Sequence, residues 1–556
     1  VNSVGFLSKR IKTANYVGDP KQFTIRKQSG DDEVFSGTAT GPVVAKDTGE
    51  SLSHIDFSEF SEPGEYYIEA GEGRSAPFII DNDVFESALH TSMLGLYGQR
   101  CGEKVEIEVG DDKFLHGACH MAEADLSRVG TGTKDDTGGW HDAGDYGKYS
   151  ANGAFAVALL LSAYEQFPDF VAAQEFEMPE KGGDVPDMLD EARVELEWLL
   201  KIQFEDGSFS HKVTALDFEG VVLPTSDTQT RYFISASSTG TADSTAALAQ
   251  GARLFADFDA AFAEKCLAAA TAGQAWLDAN PRLLQADQSG VSTGGYGDSN
   301  DTDERLWALA EIWETTGEGS YLEALEARLV DVNVDGNFDW PNVKNLGLST
   351  YLRSKRAGRN PGLVSRVATG FLGVADSHAS HALQDAYGRG MSAYYWGANG
   401  VLARLSFNLM AAYFVEPKAE YLDAIQLQLD HLFGKNYYGR SFVSGLGANP
   451  VHKPHHRPSE ADGQVNPWPG LLIGGPHTRL FADPESAVAQ YPAMTWTDDY
   501  PNYLHNEVAI NWNTALSYAL VALSAADENA PGCESCVIDG AGGAGGGGGA
   551  GGAQAN

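Results

Sequence analysis

The spacing of apolar residues changes once along this chain, near residue 84, and no other feature constrains the fold as much. Before that point "QFTIRKQ", "PVVAKD" and "GEYYIEAG" are short, rich in β-branched and aromatic residues, and separated by Gly, Pro and Asp turns. Residues 1–83 therefore predict a small β-sandwich. Beyond it, apolar residues recur at three and four from "DVFESALHTSMLGLYGQRC" to "NTALSYALVALSAA", which predicts about a dozen amphipathic helices over residues 84–530. Paired helices wrapped into a toroid fit this pattern, and no fixed-period repeat supports a solenoid. The tail at 531–556, "GAGGAGGGGGAGGAQAN" at its end, cannot bury a core. It reads as a Gly-rich linker, with a further module expected beyond it.

Charge narrows the partners. Lys and Arg total 38 against 77 Asp and Glu, a net charge of −39. Nucleic acids and anionic membranes both need positive charge, so neither fits; a neutral polymer does. No apolar run reaches the ~18 residues of a membrane span. The chain opens at Val1 rather than at a basic Met-led stretch, and a processed, secreted, extracellular protein is expected. Five cysteines are too few and too odd in number for a disulfide scaffold; "CESC" at 533–536 is expected to form a local disulfide.

Three segments carry chemistry. "TGGWHDAGDYGKYS" at 137–150 sets Asp142 and Asp145 three apart in a loop that its glycines make entropically expensive to order. Close carboxylates resist simultaneous ionisation and suit the holding and deprotonation of a water; a loop calcium site or an Asx-turn pair is the plainer alternative. "TWTDDYPNYLHNEVAINWNTA" embeds Glu507 between Tyr503 and Trp512, where a carboxyl can keep its proton, although a first-turn glutamate facing the helix dipole would look the same. "SFVSGLGANPVHKPHHRPS" delivers His455, His456 and Arg457 as donors for hydroxyls or carboxylates. A base, an acid, hydroxyl-binding donors and ten tryptophans as stacking surfaces describe a glycoside hydrolase.

The blocks "WHDAGDYGKY", "SFVSGLGANPVHKPHHR" and "WTDDYPNYLHNEVAINWNT" resemble glycoside hydrolase family 9, the cellulase family with an (α/α)6 barrel. "VPDMLDEARVELEWLLKIQ" and "YYWGANGVLARLSFNLMAAY" are similar too, and the likeness spans roughly residues 84–527. "VNSVGFLS" with "FSEPGEYYIEA" resembles the immunoglobulin-like module that precedes the barrel in one branch of the family. The resemblance implies Asp145 as general base, Asp142 as its partner on the water, and Glu507 as general acid. His455 and Arg457 would contact the sugar, Asp498 would support the site, and Tyr503 and Trp396 would bind substrate. The family inverts the anomeric carbon, which needs a gap of roughly 6.5–9.5 Å between the two carboxyls.

Metals come next. Cys101, Cys119, His120 and His141 form C-x17-C-H-x20-H, whose spacing is unlike the short pairs of zinc fingers and leaves a Cys101–Cys119 disulfide open. The branch with the immunoglobulin-like module resembles this chain in having a structural zinc on two Cys and two His at matching places. Asp298, Asp301, Asp303 and Glu304 crowd one loop that suits calcium, with a solvated acidic loop as the alternative. Ser459, Asp462 and the Val465 carbonyl form a weaker calcium candidate.

The expected activity is endo-cleavage of β-1,4-glucosidic bonds in cellulose and related β-glucans, with no organic cofactor. The alternatives are an exo-acting cellodextrinase or glucosaminidase of the same fold, and a carbohydrate-binding scaffold without turnover.

Overall fold

The computed structural model describes residues 1–479 and 489–526; the expected Cys533–Cys536 disulfide and the Gly-rich tail lie outside them. The first 80 residues form nine short strands: β1 (Gly5–Phe6), β2 (Thr13–Val17), β3 (Gln22–Lys27), β4 (Glu33–Thr38), β5 (Thr40–Val44), β6 (Ser51–Asp56), β7 (Gly64–Ala70), β8 (Gly73–Arg74) and β9 (Phe78–Ile80). One sheet runs β1-β9-β7-β3-β4, with β8 on β7, and the other runs β2-β6-β5. The alternation legible in β3 and β7 puts Phe23, Ile25, Tyr66 and Ile68 between the sheets. There Phe6 meets Phe57 and Phe78 edge-on at 5.2 and 5.4 Å.

Helices follow. They are α1 (Glu86–Tyr97), α2 (Ser150–Gln166), α3 (Pro168–Ala172), α4 (Asp187–Ile202), α5 (Ser238–Phe255) and α6 (Ala260–Ala279). Next come α7 (Thr302–Thr316), α8 (Gly319–Leu329), α9 (Lys344–Arg353), α10 (Pro361–Gln384) and α11 (Ala398–Val415). The last are α12 (Ala419–Leu432), α13 (Arg457–Ala461), α14 (Tyr503–Asn506) and α15 (Ile510–Ala525). Burial sorts the long ones into two rings. Helices α2, α11 and α15 are apolar nearly all round and bury almost every residue, as the inside of a double ring requires. The inner ring runs α2, α5, α7, α9, α11, α15 and back to α2. Between α9 and α11 it is closed by Asn345 Nδ2 donating to Asn408 Oδ1 at 2.8 Å. Helices α4, α6, α8, α10, α12 and α1 lean on it from outside, giving six pairs and an (α/α)6 barrel.

The sandwich is fastened to the barrel. Asn2 Nδ2 donates to Asp430 Oδ1 at 2.9 Å, and Ser3 N to the Phe433 carbonyl at 3.0 Å, both at the end of α12. Two insertions then position the site. A hairpin of β10 (Val105–Val109) and β11 (Asp112–His116) turns the chain back after α1. Lys148 and Tyr149, at the exit of the aspartate loop, pair antiparallel with Val213 and Lys212.

Candidate active site and metal centre

The aspartate loop is a tight turn closed on itself by Asp142 N donating to the Gly147 carbonyl at 3.0 Å. A Cβ on Gly144 would lie 1.9 Å from the His455 carbonyl and 2.9 Å from Glu507 Oε1, so only glycine lets the loop approach the two other motifs. Gly139, at φ +72° against the Trp198 ring, allows the preceding bend. The three separated motifs thus meet around one residue without a side chain.

Asp142 is buried. Its Oδ1 accepts from Asn152 Nδ2 at 2.6 Å and its Oδ2 from the Tyr296 hydroxyl at 2.5 Å. Burial pushes its carboxyl up to about 7; those hydrogen bonds oppose the shift and the charge of Asp145 adds to it. Asp145 accepts from Gly147 N at 3.0 Å and from the Tyr149 hydroxyl at 3.4 Å, both on Oδ2.

Glu507 has extended backbone, between α14 and α15 rather than in the first turn of α15. The helix-dipole alternative therefore falls away. Its Oε1 accepts from Gly144 N at 3.1 Å. Burial, then the like charge of Asp145, holds its carboxyl well above the ordinary carboxylate range, against the Gly144 amide and Arg457. A carboxyl in that state is a proton donor at neutral pH.

These three acids line one cleft of about 770 Å³ with His455, Arg457, Tyr503 and Trp396. Trp396 and Tyr503 form an aromatic pair, centroids 5.5 Å apart, and both are more than two-fifths exposed. His455 is fixed by its Nδ1 against the Tyr500 carbonyl at 2.8 Å and by stacking on that ring. Arg457 is 8% exposed and turned to protein: its Nη1 donates to the Gly144 carbonyl at 2.8 Å, and its Nε pairs with Glu219 at 2.8 Å. Asp498 acts from behind, accepting from the backbone amides of His452 and Lys453 and pairing with Arg440 at 2.6 Å. It anchors the strand of chain that delivers His455. Two residues absent from the sequence reading also belong here, Tyr296 and Glu219. Tyr296 carries φ +42°, an uncommon conformation for a bulky residue, within "GGYG". An aromatic set among glycines is the signal that could have found it.

Cys101, Cys119, His120 and His141 converge so that their ligand atoms lie within 4.8 Å of one another, as no other such group does among the described residues. The cysteines are free, with Sγ atoms 3.9 Å apart, which removes the disulfide alternative. Three of the five other edges are 3.3 Å between His141 Nε2 and His120 Nδ1, 3.5 Å from Cys101 to His120 Nδ1, and 3.9 Å from Cys119 to His141 Nε2. A tetrahedron with metal–sulfur bonds of ~2.3 Å and metal–nitrogen bonds of ~2.0–2.1 Å has edges of about 3.8, 3.3 and 3.6 Å. The residues fit such an ion. Burial lowers His141 to about 4, keeping its ring neutral for ligation. His120 sits at φ +50°, and its Nε2 is 3.3 Å from Asp227 Oδ2, the outer carboxylate that orients a metal-binding imidazole. The C-x17-C spacing closes because the β10–β11 hairpin returns the chain on itself, pairing Val105 with His116.

The calcium candidates fare differently. Asp301 pairs with Arg305 at 3.0 Å and Asp303 Oδ2 accepts from Val343 N at 2.8 Å. The carboxylate that joins Asp298, Asp303 and Glu304 is instead Asp243 of α5, buried with both oxygens unpartnered. Burial, then the charge of Asp243, pushes Glu304 up to about 12. At the weaker candidate, Asp462 accepts from Trp468 Nε1 and Gln464 N, and Ser459 Oγ accepts from Trp468 N. Those hydrogen bonds fasten the loop onto Trp468.

Comparison with known proteins agrees in extent with this architecture. Residues 85–520 match the family model "Glycosyl hydrolase family 9", and residues 1–75 match "Cellulase N-terminal ig-like domain". Endoglucanase D of Acetivibrio thermocellus is 41% identical over 528 residues, covering 94% of this chain and 82% of that protein. A cellodextrinase of Butyrivibrio fibrisolvens is 31% identical over 543 residues, covering 94% and 98%. The crystal structure of a Zn-binding triple mutant of the family 9 endoglucanase J30 superposes with a TM-score of 0.87 at 30% identity, covering 93% of this chain and 99% of that one.

Proposed function

The chain belongs to glycosyl hydrolase family 9, and we propose that it is an inverting endo-β-1,4-glucanase with Asp145 as base and Glu507 as acid. The observation that carries this reading is the proton-holding Glu507 beside two aspartates on one aromatic cleft. Both hydrogen bonds to Asp145 fall on Oδ2, so Oδ1 is the oxygen that takes a proton from water. Asp142, held at both oxygens, orients that water. Water adds to the anomeric carbon as Glu507 protonates the departing glycosidic oxygen, and the C–O bond breaks without a covalent intermediate. Trp396 and Tyr503 offer the flat faces on which sugar rings stack. The likeness to Endoglucanase D supports a β-1,4-glucan as the polymer.

The identity to a cellodextrinase supports a second reading, exo-action on short chains. Viscosity separates the two: endo-action collapses the viscosity of carboxymethylcellulose long before reducing ends accumulate. Asp145→Asn and Glu507→Gln test the assignment itself. Each is expected to lower turnover by about 10²–10⁴-fold with the melting temperature kept, as loss of a general base or acid does. Wild-type turnover in either would remove that residue from its role.

The metal of the Cys/His group is zinc in this reading. Four protein ligands leave no open coordination position, so it would supply structural support beside Asp142 and no chemistry. Calcium would be the ion for Asp243, Asp298, Asp303 and Glu304, whose carboxyls repel one another, although their oxygens are not gathered as closely as the Cys/His ligands. Secretion and a further module past the Gly-rich tail complete the proposal.

A further inference from the structure

Residues 216–229 cross from the cleft to the metal-binding group, and four of them meet the site along the way. Phe218 lines the cleft beside Arg457. The Val222 carbonyl accepts from the Tyr146 hydroxyl, and Asp227 faces His120. Between them Glu219 is nine-tenths buried and turned inward. Its Oε1 accepts from Tyr146 N at 3.2 Å and pairs with Arg457 Nε at 2.8 Å. Arg457 in turn gives Nη1 and its backbone amide to the Gly144 carbonyl, at 2.8 and 3.1 Å. The two peptide units that flank Asp145 are thus both fixed by one carboxylate, Tyr146 N directly and the Gly144 carbonyl through Arg457.

We propose that Glu219 is a positioning residue for the hydrolysis, setting where Asp145 stands relative to Glu507. The inference rests on the base and acid assigned above. A third carboxylate beside two reacting ones is costly: burial first, then the charge of Asp145, pushes Glu219 up to about 7 against the pull of Arg457. A neutral acceptor such as the carbonyl of a glutamine would satisfy Tyr146 N at lower cost, but would face the Arg457 guanidinium without a countercharge. What the carboxylate adds is the pairing that keeps Arg457 on Gly144. It also balances the charge of Arg457 next to Glu507, whose proton Arg457 acts to weaken.

Glu219→Gln keeps the shape and the acceptor for Tyr146 N but loses the anion; Glu219→Asp keeps the anion on a shorter arm. Both are measured on a soluble β-glucan across pH, with melting temperatures, beside Asp145→Asn as the control for the assigned base. Glu219→Gln is expected to lower kcat by about 10- to 100-fold with KM changed less than about threefold, the size of effect that a misplacement near 1 Å brings. Its alkaline limb should move to lower pH, because Arg457 then stands unbalanced beside Glu507. The charged and titratable groups facing Glu219 are Arg457, Asp145, Asp227 and Tyr146. The acid limb should stay, since Glu219 already carries its proton there. Glu219→Asp should keep the wild-type alkaline limb while losing part of kcat. Wild-type kcat and limbs in Glu219→Gln, with Asp145→Asn inactive, would overturn the positioning role alone. A drop in melting temperature with unmoved limbs in both variants would reduce Glu219 to a structural part, which also overturns it. An active Asp145→Asn would instead overturn the assignment on which the inference stands.

Discussion

Gly144 N donates to Glu507 Oε1 at 3.1 Å, so the loop that carries the two aspartates also holds the acid that works opposite them. The separation of the reacting carboxyls is therefore set by one turn of backbone rather than by two independent elements.

Gly144→Ala should be among the most damaging single-methyl changes in the molecule. The new Cβ would meet the His455 carbonyl at 1.9 Å, and something must shift. Any shift moves Asp142, Asp145 or Glu507, and turnover on β-glucan should fall by about 100-fold or more. Helical circular dichroism should remain that of the parent.

Asp142→Asn should trade activity for stability, with a defined pH signature. The folded carboxyl, raised to about 7 from 3.8, favours the protonated form. Its contribution to stability is complete below about pH 4 and is lost as pH rises through about 7. Asparagine removes that loss, and Asn152, whose Oδ1 has no partner, can turn its amide to accept from the new side chain. The variant should therefore melt higher than the parent at pH 8, equal it near pH 4, and turn over more slowly at both. Thermal melts at the two pH values check the sign.

Zinc removal should loosen the aspartate loop and not the barrel. His141 adjoins Asp142, and Cys101 N donates to the Gly139 carbonyl at 2.8 Å, so the ligands clamp both sides of the turn. The purified protein should hold one zinc and titrate Cys101 and Cys119 as free thiols only after chelation and denaturation. Cys119→Ser should lose the metal, melt several degrees lower and lose activity in parallel. A metal-free protein of full activity and stability would contradict the clamp.

Much of this site was legible because its chemistry is local in the chain. Asp142 and Asp145 sit three apart in a glycine-rich loop, and Glu507 lies between aromatics, which marked them as candidates; their roles came from the family resemblance. The two folding regimes were legible for the same reason, since period two and period 3.6 are properties of short windows. What escaped is what tertiary structure brings from afar. Tyr296 reaches Asp142 across 154 positions and Glu219 reaches Tyr146 across 73; "GGYG" marks Tyr296 as unusual, but nothing local says which residue either one meets. Asp243 looks like one more polar residue in α5 until the fold sets it against Asp303, Asp298 and Glu304. Asp301 shows the converse: four acids close in sequence suggested a common ligand, yet helical geometry gave one of them to Arg305 four residues on. The hairpin that closes Cys101 onto Cys119 does have a local signal, the alternation of "VEIEV" and "DKFLH" around a turn.

Single displacement by water is read from the configuration of the first product. Proton NMR of cellohexaose during its first minutes with the enzyme distinguishes the new reducing ends before they mutarotate. α-Anomer is expected first, because water delivered by Asp145 attacks opposite the departing sugar that Glu507 protonates. Initial accumulation of β-anomer would mean a covalent glycosyl-enzyme, with Asp142 or Asp145 as nucleophile, and would rule out single displacement.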